Sequence, residues 1–177
     1  FEFGYGLSYT TFEFSNLRLD KKVIGLDGKV IVSADIENTG DVAGAEVVQL
    51  YVGYNGSAVD RSVKDLKGFD KIFLQPGEKK TVTIEVAAEN LAYYSAGLGR
   101  FIVEPITYDV LVGASSRDIK LTESFLITTD QALLDEEEAK HAESGDSTSK
   151  TPGFGAIALL GAFGIACVIL SLRRKRN

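Results

Sequence analysis

The chain has no Met and no Trp, one Cys, one His and three Pro in 177 residues. A lone Cys167 cannot close an intrachain disulfide, so cysteine usage carries no information on redox compartment. It sits in an apolar run, where a small lipid-facing side chain is a simpler reading than a reactive thiol. With His141 the only histidine, no His/Cys set with metal spacing exists, which excludes a structural zinc site. A Ser-His-Asp constellation needs an oriented imidazole, and the polar stretch around His141 supplies none. Basic residues are also scarce, with 19 Lys and Arg against 25 Asp and Glu and a net charge of −6. Four of those cations, Arg173, Arg174, Lys175 and Arg176, close the chain; the rest carries 15 basic against 25 acidic residues, or −10. Affinity for nucleic acid comes mainly from Lys and Arg meeting phosphates, so we expect no nucleic-acid partner.

What is present suits one globular domain with appendages: 45% hydrophobic and 10% aromatic residues supply a sizeable core. The opening run Phe1-Glu2-Phe3-Gly4-Tyr5-Gly6-Leu7-Ser8-Tyr9 is aromatic and Gly-rich, with neither an initiator Met nor a signal peptide. Such a run packs against something, so we expect it to lie inside a longer polypeptide. Residues 1–10 then form a junction with an upstream domain, and Phe1, Phe3, Tyr5, Leu7 and Tyr9 are the candidates for interdomain packing. The glycines of Gly4-Tyr5-Gly6 lack the strand-to-helix setting of a phosphate loop and are expected to permit close backbone packing.

Residues 11–130 read as short strands between turns. Thr11 to Leu19 alternates with one slip in phase, and Lys29 to Asn38 places Val30, Val32, Ala34 and Ile36 on one face. Asn38-Thr39-Gly40-Asp41 reads as a turn whose Asn and Gly tolerate positive φ. Ala45 to Gly53 is dense enough for a central strand, and Asp65 to Leu74 ends at Gln75-Pro76-Gly77-Glu78. Thr81 to Val86, a hairpin of Leu91 to Ser95 with Arg100 to Val103, Tyr108 to Gly113 and Lys120 to Thr128 complete the set. Seven or eight strands without an amphipathic helix predict an all-β, antiparallel fibronectin type III-like sandwich, the Cys…Trp…Cys signature of immunoglobulin domains being absent.

Residues 131–152 change character. Asp135-Glu136-Glu137-Glu138 and Ser144-Gly145-Asp146-Ser147-Thr148-Ser149 cannot bury enough apolar area to offset chain entropy. We expect a flexible acidic and Ser/Thr-rich spacer, with at most a transient helix over 132–142. Residues 153–172 hold no charge and, at about 1.5 Å per residue, would reach nearly 30 Å, the thickness of a bilayer core. A buried core helix is the alternative. The basic tail at 173–177 acts as a membrane stop that prefers the cytoplasmic side, which predicts a cell-membrane protein with the sandwich outside and membrane lipid as a partner.

Several blocks resemble one family. Phe3-Gly4-Tyr5-Gly6-Leu7-Ser8-Tyr9 is similar to the run leading into the C-terminal fibronectin type III-like domain of family 3 glycoside hydrolases, the β-glucosidase and β-xylosidase family. The likeness continues through residues 38–52, 64–69, 74–78 and 103–119, in order, and covers about residues 1–128. Glu2 and Ser62 stand where that family commonly has Pro, and Ile106 where it often has Gly, which affects turns rather than chemistry. The resemblance implies a nucleophilic Asp in an N-terminal barrel and a general acid/base in the following α/β domain. Neither region lies in this chain, so no catalytic residue, cofactor or metal ligand is assigned. The tail resembles another pattern: Pro152-Gly153-Phe154, an apolar span and a basic end look like PGF-type C-terminal sorting signals of archaeal surface proteins. That implies a membrane-embedded sorting protease and replacement of the tail by a lipid anchor; an ordinary single-pass anchor is the alternative.

Other residues carry weaker signals. Glycosidases place two carboxylates at a fixed separation. Asp35 and Glu37 alternate with an apolar face and are expected at solvent, and Asp135 to Glu138 lies in the spacer. Asn55-Gly56-Ser57 is a glycosylation sequon in a predicted loop. Tyr51, Tyr54, Tyr93 and Tyr94 could stack sugars, but core or interdomain packing is the better use of such large surfaces. The expected function is a non-catalytic support and membrane anchor for upstream catalytic domains that hydrolyse β-linked terminal sugars. The alternative is a stand-alone surface-anchored adhesion or glycan-binding module.

Overall fold

A computed structural model describes residues 1–144. The expected span at 153–172, Cys167, the Pro152-Gly153-Phe154 motif and the basic tail lie outside the described residues. Two sheets enclose the core. Strands β1 (Phe12–Leu19), β3 (Lys29–Asn38) and β6 (Lys79–Ala87) form one, in the order β1-β3-β6. The other runs β2-β10-β9-β4-β5, from β2 (Val23–Ile24), β10 (Ile119–Ile127), β9 (Thr107–Gly113), β4 (Gly44–Asn55) and β5 (Asp65–Leu74). A separate hairpin pairs β7 (Tyr93–Ser95) with β8 (Arg100–Ile102).

Alternation explains the core. Val30, Val32, Ala34 and Ile36 of β3 are all buried, facing Val48, Leu50 and Val52 of β4 and Val110 and Val112 of β9. Tyr108 and Phe125 stack at 5.6 Å between centroids, and the Tyr108 hydroxyl donates to the Glu104 carbonyl four residues back. Among the described residues this core lies within residues 12–127. The slip in phase in β1 is a bulge between Ser15 and Arg18, with Asn16 at φ +51°.

Three expectations change. The sandwich is not wholly antiparallel, because β2 pairs in parallel with the end of β10, Leu126 opposite Val23. The Asn38-Gly40 turn uses no positive φ; Asn38 is buried and Gly40 lies tight against Thr10, where an added Cβ would meet the Thr10 hydroxyl at 2.3 Å. The spacer begins as a helix, α1 (Gln131–Ser144), longer at both ends than the transient helix expected over 132–142. Asp130 accepts the Ala132 N–H at 3.0 Å as an N-cap, and the Gln131 side chain donates to Asp135 at 2.8 Å. Glu137 accepts the Lys22 N–H, which ties the helix to the segment leading into β2. His141 lies in the last turn of α1. Among the described residues no helix is long and apolar enough to cross a membrane.

Candidate functional site

The N-terminal run lies across the outward face of the five-stranded sheet without joining it. Residues 2–5 make a turn closed by the Tyr5 N–H donating to the Glu2 carbonyl at 3.1 Å. Gly4 occupies the turn at φ +80°, and a Cβ there would stand 2.1 Å from Nε2 of Gln49. Only glycine meets both demands. The close packing expected of Gly4-Tyr5-Gly6 therefore holds at Gly4 and not at Gly6, which faces open space. Two further bonds fix the segment: the Ser116 N–H donates to the Phe3 carbonyl at 2.9 Å, and the Ser115 hydroxyl to Glu2 at 3.3 Å. Gln49 spans the floor beneath, donating to the Ala114 carbonyl at 2.7 Å and accepting the Tyr51 hydroxyl at 2.5 Å.

This backbone turns its large side chains outward. Phe1 and Tyr9 are fully exposed, Leu7 nearly so, Phe3 by about two thirds and Tyr5 by about half. Phe1 and Tyr5 stack on each other at 4.9 Å. All five residues expected to pack between domains thus lie on one short segment with no partner surface within the described residues. Under the segment is a cavity of about 450 Å³ lined by Glu2, Tyr5, Leu7, Glu46, Ser115 and Asp118, among others. Burial, helped by the charge of Asp118, holds the Glu46 carboxyl above its usual range against the opposing Val47 N–H and Lys120. No group of three or more His, Cys, Asp or Glu among the described residues could hold a metal ion.

The sequence reading missed the neighbouring surface. Register places Phe69, Lys71 and Phe73 of β5 on the outward side, opposite Gln49, Val47 and Ala45 of β4, while Lys67 sits in the bulge between Leu66 and Gly68. Phe69 is 67% and Phe73 55% exposed. The signal was present as the alternation of Phe69, Lys71 and Phe73 against Gly68, Asp70, Ile72 and Leu74, of which Gly68 faces Ile84 across the core.

At the other end of β4 a polar lock joins distant loops. The Arg61 guanidinium lies over the Tyr54 ring, near Tyr93, and donates to the Leu91 carbonyl at 2.9 Å. It pairs with Glu104 at 3.6 Å, and Glu104 also accepts the Ser57 hydroxyl at 2.6 Å and the Ala58 N–H at 2.8 Å. Burial, then the hydrogen bond it donates to Asp65, pushes the Tyr54 hydroxyl far above its usual range. Burial of Asp65 opposes, but the Ser62 and Tyr54 hydroxyls and Lys67 hold its carboxyl below the usual range. Of the four tyrosines weighed for stacking, Tyr51 is buried, Tyr54 and Tyr93 serve this lock, and Tyr94 is exposed beside Phe101 on the hairpin.

The two carboxylates weighed from sequence, Asp35 and Glu37, are each held in an ion pair. Asp35 lies on the outer face of the three-stranded sheet but is held under Arg18 at 3.1 Å, and Glu37 pairs with Lys79 at 2.7 Å. Hydrogen bonds from Arg18, then Asn16 and Thr81, keep Asp35 far below the usual carboxylate range, the wrong direction for a general acid. Asn55 ends β4, exposed, before Gly56 at φ +83°; the Ser57 hydroxyl of its sequon is bonded to Glu104.

Residues 46–116 match the Fn3-like model, described as a fibronectin type III-like domain. The sandwich is a fibronectin type III-like domain. This chain is 46% identical over 129 residues to the thermostable beta-glucosidase B of Acetivibrio thermocellus, covering 73% of the chain and 17% of that protein. It is 49% identical over 132 residues to a beta-glucosidase of Kluyveromyces marxianus, covering 73% of the chain and 15% of that protein. The crystal structure of a selenomethionine-labelled beta-glucosidase from Kluyveromyces marxianus superposes with a TM-score of 0.66 at 46% identity, covering 73% of this chain and 15% of its own. A GH3 beta-glucosidase of Bifidobacterium adolescentis gives 0.67 at 38% identity, covering 72% of this chain and 18% of its own. The chain thus spans less than a fifth of each of these relatives.

Proposed function

We propose that this chain is the non-catalytic fibronectin type III-like module of a family 3 glycoside hydrolase. Hydrolysis of β-linked terminal sugars, with retention through a glycosyl-enzyme intermediate, belongs to domains upstream of Phe1. The module braces those domains along the outward-facing Phe1, Phe3, Tyr5, Leu7 and Tyr9. One observation carries the reading: five large apolar side chains sit exposed on a backbone that is itself pinned to the sheet. A free surface rarely keeps such a patch.

The reading extends to the residues after Ser144. Residues 153–172 cross a membrane with the sandwich outside and Arg173, Arg174, Lys175 and Arg176 in the cytoplasm, or a sorting protease acts at Pro152-Gly153-Phe154 and a lipid replaces the tail. Asn55 is a candidate glycan acceptor on the exposed side. A second reading, a stand-alone glycan-binding surface module, is favoured by the exposed aromatic pair Tyr94 and Phe101.

The coding sequence upstream of Phe1, expressed with this chain and assayed on an aryl β-glucoside, tests the first reading. Activity in the long product and none in the 177-residue chain is expected. An upstream sequence without barrel or α/β domain overturns it and makes glycan binding by the hairpin the next assay. The intact mass of the mature protein decides between retained and processed tails.

A further inference from the structure

We propose that the groove between Phe3 and β5 receives an apolar side chain, flanked by a carboxylate, from the domain that precedes Phe1. This rests on the reading of the chain as one module of a longer polypeptide. The groove measures about 210 Å³ and is lined by Phe3, Gly4, Val47, Gln49, Leu66 and Phe69. Gln49 is the one polar residue there, and its amide is already engaged by Ala114 and Tyr51. The surface that the groove presents to an occupant is apolar. An apolar group fits it, and a sugar, which needs polar partners, does not.

The groove is built jointly. One wall is the sheet and the other is Phe3, held in place by the Gly4 turn and the Ser116 bond. It exists only while the N-terminal segment lies on the sheet, so forming the wall and aiming the chain toward any preceding domain are one event. At about 3.3–3.6 Å per residue, a domain attached at Phe1 starts within roughly 10 Å of Phe3. That tether makes docking intramolecular and keeps the local concentration high.

The rim supplies the charge. Along the outward face Lys71 stands between Phe69 and Phe73. Lys67, in the bulge, is turned instead to Asp65 at 3.6 Å and the Asn90 carbonyl at 2.8 Å. Lys71 is exposed and forms no ion pair among the described residues. An edge strand often carries Lys to prevent stray pairing, but that role does not require two exposed phenyl rings beside it. Phenyls to bury and an ammonium to pair together specify a surface of apolar residues edged with Asp or Glu.

Peptide-level thiol labelling tests this, using Phe69→Cys and Phe73→Cys as separate variants in a Cys167→Ala background, with Lys29→Cys on the opposite sheet as control. Each is made in the 177-residue chain and in the polypeptide expressed with all coding sequence preceding Phe1. Both positions are surface sites, and circular dichroism checks that the variants fold. The expected result is labelling at 69 and 73 at least about tenfold slower in the long polypeptide, with 29 unchanged. Equal rates in both forms, with a preceding domain present, overturn the docking and leave the proposed function standing. Absence of a preceding domain overturns both. Protection in the 177-residue chain that grows with its concentration assigns the face to a second copy and overturns the proposal.

Discussion

The guanidinium carbon of Arg61 lies 3.4 Å from the centroid of the Tyr54 ring, and the two side chains together close the end of the sandwich where β4, β9 and the hairpin meet. Arg61 and Glu104 are 10% and 7% exposed, so the charges are paired largely out of water. Arg61→Ala leaves the Glu104 carboxylate buried with only the Ser57 and Ala58 donors. The expected loss is about 3 kcal/mol in urea denaturation of the 177-residue chain. Arg61→Lys keeps the charge but loses the planar stack and the bond to Leu91, for a smaller loss on the order of 1–2 kcal/mol. A loss below about 1 kcal/mol for Arg61→Ala would show that the lock is not structural.

Asn38 closes the opposite end with all four of its hydrogen-bonding positions in use. Its amide donates to the Val42 carbonyl at 2.8 Å and the Leu74 carbonyl at 3.1 Å, and its oxygen accepts the Thr10 hydroxyl at 2.6 Å and the Gly40 N–H at 3.1 Å. Asn38→Asp keeps the shape and sets a carboxylate against two carbonyls. At pH 7 it should lose about 3 kcal/mol or more relative to the parent sequence. At pH 3 the gap should narrow, because a protonated carboxyl can donate to one of the two carbonyls. Denaturation of both chains at both pH values checks this; an equal gap would assign the loss to packing alone.

Local pattern made β3 and β5 legible to the residue, because their alternation and their ends coincide with real edges of the sheets. The irregularity in β1 was legible too, as a phase slip whose cause is the Asn16 bulge. β2 was not, since two residues paired in parallel with β10 exist only through tertiary contact. Asn38 was misjudged for a related reason: an Asn before Gly signals a turn locally, while its burial is decided by Thr10 and Leu74, 28 and 36 residues distant. The Arg61 lock draws on residues from 54 to 104, and no spacing rule joins them. For the outward face, the five N-terminal aromatic and aliphatic residues stood out in sequence. Phe69 and Phe73 read as ordinary strand residues until the register showed which way they point.

Gly4 tests whether the N-terminal segment is an independent layer. Gly4→Ala demands a Cβ 2.1 Å from the Gln49 amide on a backbone at φ +80°. The segment should lift while the core beneath stays folded. Hydrogen exchange at the Ser116 amide, which donates to Phe3, should accelerate by on the order of tenfold or more. The unfolding free energy of the sandwich should change by less than about 0.5 kcal/mol. Equal effects on both would mean that segment and sandwich unfold as one unit.

Asp35 supplies a pH dependence of known sign. Its folded-state pKa is depressed below the ordinary 3.8, through the hydrogen bonds from Arg18 first and then from Asn16 and Thr81. The unfolded chain therefore takes up the proton first as the medium is acidified. The stabilisation is fully present above the unfolded value, and it declines as pH falls below about 4 toward the folded value. Asp35→Asn removes this one titration while Glu78, Glu123 and Asp65, also depressed, keep theirs. Between pH 6 and pH 2.5 the urea midpoint should fall for both chains and fall less for the variant. At pH 6 the variant should be the less stable, since a neutral amide cannot pair with Arg18 and still accept all three donors as strongly. Parallel midpoints across that range would mean that Asp35 titrates alike in the folded and unfolded chain, and the Arg18–Asp35 pair would then carry no stability.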